Sequence, residues 1–341
     1  MTDILEFTFT AEQQQLREQA REVAHKGVEK HGRFNDSWIN GFSKEFAQTM
    51  AEHGWIGMGW PKQHGGQERP PIERVIVAEE MIAAGAPIAA MWFADRQMGP
   101  TVITYGTDDQ KAEYLPKMLT GETTWCIGMS EPDSGSDLAS LSTSAEHDGN
   151  VFRINGQKIW TSGAHYSDYG VIVVRTDPTV PKHKGLSYFY TDMKAPGVEI
   201  KPIKQLTGDS DFNEVYFTDV RIPDSQRLGA EGDGWRVALT TLMNERAAIG
   251  GASGEMNFQT AFNLASETDL DGQPAIVDRG VRSQLADWYC KEKGLEFTGA
   301  RSQSALSRGE VPGPENSIAV SYTHLRAHET DSYLVCRLLL E

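Results

Sequence analysis

At 341 residues, with 39% hydrophobic and 23% charged residues, the chain is too long for one ordinary core and has the balance of a soluble protein of two or three domains. Its formal charge of −16 argues against nucleic acid, which needs a concentrated basic surface, but leaves a phosphorylated small ligand open. No apolar run approaches the ~20 residues of a membrane span. The N-terminus MTDILEFTFTAEQQQ carries acids where a signal peptide needs bases, so a cytoplasmic location is expected.

Residues 1–122 read as an α-helical domain. In 11–26, Leu16, Ala20, Val23 and Ala24 share one face at helical spacing. Residues 42–53 repeat the pattern, with Gly54 as a stop. WPKQHGGQERPP at 60–71 is a loop, and 72–84 and 108–120 are further helices despite Pro116. The character then changes. CIGMSEPDSGSDLAS (126–140) breaks from core-like sequence into small polar residues, as either a capped surface turn or a loop shaped for a ligand.

Residues 123–230 read as an antiparallel β domain. VFRINGQKIWTS (151–162) is expected to form a hairpin about Asn155-Gly156, a pair that readily takes positive φ. Strands follow at 169–176, 185–193, 198–203 and 213–223. The helical period returns from Gly234, through 235–249, 256–266 and 281–299, giving a C-terminal helical domain over 231–319. This α–β–α order lacks the βαβ repeats and glycine fingerprint of a Rossmann domain.

The tail from about Val320 to Glu341 loses its period and resembles the translation of a sequencing adapter, so a truncated polypeptide is expected. His324 and His328 have i,i+4 spacing but neither a Glu between them nor a third ligand. Cys126, Cys290 and Cys336 are too few and scattered for a disulfide framework or a cysteine metal site. No metal site is expected.

Three segments, MSEPDSGSD (129–137), NGQKIWTSGAHYSDYGVIVVRT (155–176) and GDGWRVALTTLMNERAAIG (232–250), resemble the acyl-CoA dehydrogenase family in order and spacing. The resemblance covers residues 1–319 and is to a bacterial branch with TSG after the tryptophan and NER in the later helix. It implies an N-terminal helical domain, a central antiparallel β-barrel and a C-terminal helical bundle, incomplete here. It also implies FAD as cofactor, an acyl-CoA substrate, an electron-transfer flavoprotein as acceptor, and a homo- or hetero-tetramer. By resemblance Met129 and Ser130 meet the flavin, Gly135 and Ser136 line the edge shared by flavin and thioester, and Trp160 packs on the isoalloxazine ring. Ser162 occupies a position where many relatives carry Thr, whose hydroxyl bonds the flavin.

The implied reaction removes the α-proton of the thioester with a carboxylate while the β-hydrogen leaves as hydride. Many relatives carry that glutamate near the C-terminus; a minority, including isovaleryl-CoA-type enzymes, carry it just before an arginine of the earlier helix. Here that pair is Glu245, the expected base, and Arg246, expected at the substrate. Helical spacing agrees independently: Trp235, Ala238, Leu242, Glu245 and Ile249 follow a 3-4-3-4 pattern, putting one carboxylate in an apolar stripe. A structural Glu–Arg contact at a domain seam is the competing reading.

One departure is the absence of the family's R-x-x-F-G run. Arg279 and Arg282 fall in another register, so no cofactor role is carried to them. Two rivals stand beside dehydrogenation. One is an acyl-CoA oxidase or flavin monooxygenase of the same fold; the other is a non-catalytic subunit of a heteromeric dehydrogenase, which would lack the glutamate or the flavin loop.

Overall fold

The computed structural model describes residues 9–249 and 258–307. They divide into two compact units, residues 9–69 with 80–245, and residues 70–79 with the described chain after 245. The expected helix and adapter-like segment beyond 307, His324 and His328 included, lie outside the described residues.

In the first unit, helix α1 (Ala11–His31) starts at a capping box: Thr10 Oγ1 accepts from Gln13 N–H at 3.2 Å while the Gln13 side chain accepts from Thr10 N–H. Its buried face is the expected stripe, Leu16, Ala20, Val23 and Ala24, extended to Gly27. Helix α2 (Lys44–Glu52) follows, capped by Ser43. Helix α3 (Pro71–Ala84), whose residues 71–79 belong to the second unit, and helix α6 (Asp108–Leu119) match the expected spans, and Pro116 is accommodated inside α6.

Between them lies an element without a sequence expectation. Helix α4 (Ala89–Phe93) runs through a π-type turn (Ala94–Met98) into helix α5 (Gly99–Tyr105), and nearly every residue from 89 to 99 is buried. A segment covered on all sides has no amphipathic period to read.

The β domain is one seven-stranded sheet. Its strands are β1 (Trp125–Gly128), β2 (Ser144–Asp148), β3 (Val151–Ser162), β4 (Tyr169–Arg175), β5 (Leu186–Asp192), β6 (Val198–Ile203) and β7 (Phe212–Pro223). The order is β1-β4-β2-β3-β7-β6, with β5 paired to β4 off this path. Pairing is antiparallel except where β1 and the start of β2 meet β4 in parallel. Phe152, Ile154, Val174, Phe189, Val215, Val220 and Ile222 form the center of its core.

The expected hairpin about Asn155-Gly156 is corrected. β3 runs unbroken from 151 to 162 along β7, and Asn155-Gly156 forms an irregularity within it rather than a turn. Gly156 takes φ +150°, where a Cβ would lie 2.4 Å from Thr143 Oγ1, and Asn155 Oδ1 accepts from Asp219 N–H on the facing strand at 2.8 Å. Both β-prone runs have the same partner, so the chain need not reverse. The turn is earlier, at Gly149-Asn150, where Asp148 faces Val151.

Helix α7 (Gly234–Ile249) contributes residues 234–245 to the first unit and its last turn to the second. In the second unit, helix α8 (Phe258–Glu267) and helix α9 (Arg279–Ser307) flank a two-stranded ribbon, Asp269–Leu270 with Gln273–Pro274, around Ala261, Ala265 and Leu285. No described helix is long and apolar enough to cross a membrane.

Candidate functional site

The polar run after β1 is not a free surface turn. Glu131 and Ser134 close it with reciprocal backbone hydrogen bonds of 3.0 and 3.1 Å. Its leading edge is stitched to β3: Ile159 N–H donates to the Ser130 carbonyl at 2.9 Å, and Lys158 Nζ donates to the Met129 carbonyl at 3.1 Å. Two sequence-distant segments singled out for the cofactor, Met129–Ser130 and Trp160, are thereby brought to one edge. Met129 is buried and Ser130 half-buried.

Beneath that edge lies a group absent from the sequence expectations. Lys158 Nζ meets Glu131 Oε1 at 2.8 Å, with both side chains out of solvent. Glu131 also accepts from Thr143 N–H at 2.9 Å, Ser142 N–H at 2.6 Å and Ser142 Oγ at 2.8 Å. Burial pushes the Glu131 carboxyl up, but the Lys158 charge and these hydrogen bonds outweigh it and hold the group at about 2. Burial pulls the Lys158 ammonium down to about 8 against the upward pull of Glu131. At neutral pH both are ionised. The signal was legible: Phe152, Ile154 and Lys158 share the inward parity of β3, so a lysine on the core face requires a buried partner.

Two residues on, β3 breaks its register between Lys158 and Thr161. At this bulge Trp160 takes φ +59° and stands 57% exposed, with Phe212 edge-on at 6.2 Å. A large apolar face presented to solvent on a left-handed backbone is costly twice over and suits a planar ligand. The next residue, Thr161, is buried with its Oγ1 unpartnered among the described residues. Ser162 is half-buried, and its hydroxyl takes no hydrogen bond among the described residues.

Gly135 and Ser136 lie on the exposed side of the loop, followed by Asp137, which Lys182 holds at 2.7 Å. A Cβ on Gly135 would meet nothing within 4 Å, and its backbone is not left-handed. The chain's own packing therefore does not call for glycine there, whereas close approach of a ligand does. Together with Trp160 and the free Thr161 hydroxyl, these features fit a bound flavin. Among the described residues no group of His, Cys, Asp and Glu could hold a metal ion.

The helix of the expected base is anchored by hydroxyls. Thr101 donates to the Gln97 carbonyl at 2.7 Å and Thr241 to the Val237 carbonyl at 3.2 Å, and the Thr241 hydroxyl lies 3.1 Å from that of Thr101 and 3.0 Å from that of Tyr188. The buried face of α7 is Gly234, Val237, Ala238 and Thr241, while Trp235 and Leu242 of the expected stripe are half-buried. Position 245 lies four residues after Thr241 and seven after Ala238, on the continuation of that face. The side chains of Glu245 and Arg246 lie outside the described residues.

Two expected outcomes follow. Trp160→Gly relieves the left-handed strain, so apoprotein stability should hold or rise by about 1 kcal/mol while flavin retention falls; a thermal melt beside flavin absorbance reads both. Thr241→Val removes the middle of the hydroxyl chain and should lower stability by about 1–3 kcal/mol in a denaturant titration.

Family comparison agrees with this architecture. The chain matches the N-terminal, middle and C-terminal domain models of acyl-CoA dehydrogenase at residues 10–122, 126–220 and 232–333. It is 41% identical over 297 residues to the acyl-CoA dehydrogenase IpdE1 of Mycobacterium tuberculosis, covering 86% of this chain and 73% of that protein. Among solved structures it is similar to the steroid ACAD Tcur3481–Tcur3483, at 32% identity, TM-score 0.80 and coverage of 92% and 81%. The ChsE4–ChsE5 complex from Mycobacterium tuberculosis is similar at 31% identity, TM-score 0.77 and the same coverage. With all three domain models matched in order onto the helical, sheet and helical segments, the chain belongs to the acyl-CoA dehydrogenases, oxidoreductases that are generally FAD-dependent.

Proposed function

We propose that this protein is a cytoplasmic enzyme that dehydrogenates an acyl-CoA thioester to the trans-2-enoyl-CoA with FAD and passes the electrons to an electron-transfer flavoprotein. The observation that carries this reading is the strained, exposed Trp160 on the edge stitched to Met129–Ser130. Bound FAD supplies acceptance of the β-hydrogen as hydride.

The chain's own residues do the rest. Trp160 offers its face to the ring system, Met129, Ser130 and Ser162 meet its polar edge, and Gly135 admits it closely. Ser136 and Arg246 hold the thioester side. Glu245 takes the α-proton, the role of a general base in this reaction. Retention of both the glutamate and the flavin loop supports a catalytic chain over a non-catalytic subunit.

The likeness to a steroid ACAD supports a ring-bearing acyl group, and the likeness to the ChsE4–ChsE5 complex supports assembly with a second, related chain or with itself as a tetramer. Turnover of alicyclic and straight-chain acyl-CoA thioesters, each with electron-transfer flavoprotein or with oxygen alone, tests this reading. Faster turnover of the alicyclic substrate, dependent on the flavoprotein, is expected. Equal rates with oxygen alone would point to an oxidase.

A further inference from the structure

A buried Lys–Glu pair is, in general, no more stabilising than apolar residues of the same volume, so fold stability alone does not account for Lys158 and Glu131. Their location does. Lys158 lies two residues before Trp160, and its Nζ bonds the Met129 carbonyl at 3.1 Å, next to Ser130. Ser130 in turn accepts from Ile159 N–H at 2.9 Å. The ammonium therefore ties together both segments assigned to the flavin. The carboxylate is held separately, by Ser142 and Thr143 just before β2.

We infer that Lys158 and Glu131 are positioning residues for the flavin, fixing Met129–Ser130 against Trp160 and setting the reduction potential of the bound cofactor through their fixed charges. This rests on the cofactor reading above. Reduction adds negative charge to the flavin, which a nearby ammonium favours and a carboxylate opposes. Both charges are out of water and weakly screened, so each acts at a distance where surface charges would not. The ammonium bonds the backbone of the segment assigned to the flavin while the carboxylate is held by Ser142 and Thr143, so the pair acts as a dipole with its positive end toward the cofactor.

The test loads the full chain with FAD, measures flavin content by absorbance, then measures the midpoint potential well on the acid side of the amine's titration. Lys158→Met should lower the potential, Glu131→Gln should raise it, and the double variant should fall between them, near wild type. Lys158→Arg should also stay near wild type. A merely structural role would move both single variants in the same direction or neither, and either result overturns the inference. Glu131→Gln is the variant safest for folding, because its amine can shed its proton at higher pH, and its potential is read at a pH acid enough to keep that amine charged. Should Lys158→Met not fold, a Glu131→Gln potential above that of the double variant supports the inference, and equal potentials overturn it. A wild-type chain that retains no FAD overturns the cofactor reading and this inference together; flavin bound with unmoved potentials overturns this inference alone.

Discussion

Glu245→Gln is expected to lower kcat by about 10²–10⁴-fold, the usual contribution of a positioned general base. The amide keeps the shape of the carboxyl but cannot accept the α-proton, so KM and flavin content should change little. The expectation rests on the helix. Gly234, Val237, Ala238 and Thr241 form its buried face, and position 245 continues that face. A structural Glu–Arg contact predicts the opposite pattern, a loss of stability with turnover retained. Steady-state kinetics beside a thermal melt separates the two, and wild-type turnover in Glu245→Gln would remove Glu245 from the mechanism.

The second large effect is on stability. Lys158→Met leaves the Glu131 carboxylate buried without its cation and should cost about 3–5 kcal/mol, whereas Lys158→Met with Glu131→Gln should be nearly neutral. Denaturant titration of the wild type, both single variants and the double variant gives the comparison as a double-mutant cycle. The pair also sets an acid limb. The Glu131 carboxyl sits at about 2 in the fold, below its ordinary value of 4.5. Its contribution is therefore complete above the unfolded value and is lost as pH falls from about 4.5 toward 2. That limb should flatten in Glu131→Gln; an unchanged acid profile would mean other carboxylates govern it.

The sequence made the layout legible wherever one face of an element is buried and the other wet. Helix α1 with its Leu16–Ala20–Val23 stripe and strands β6 and β7 are of this kind. It was least legible where burial is complete, as in the π-type turn at Ala94–Met98, where Asp95, Arg96 and Gln97 look like surface residues but are buried. Asn155-Gly156 misled for a different reason. The dipeptide signals a backbone irregularity, and only pairing with β7 decides between a turn and a bulge.

The same division holds for the site. Local motifs pointed to Met129, Ser130 and Trp160, and the fold brings them to one edge. The strain at Trp160 and the charge pair beneath it depend on register and burial, which no local motif encodes. Lys158 was accessible in part, from its parity with Phe152 and Ile154, but its partner lies 27 residues away in a loop.

Anaerobic mixing of the FAD-loaded chain with a saturated acyl-CoA tests the central claim most directly. The expected result is loss of the oxidised flavin's visible absorbance with one enoyl-CoA formed per flavin. An absorbance unchanged across straight-chain and ring-bearing thioesters, or bleaching without an enoyl product, would contradict it.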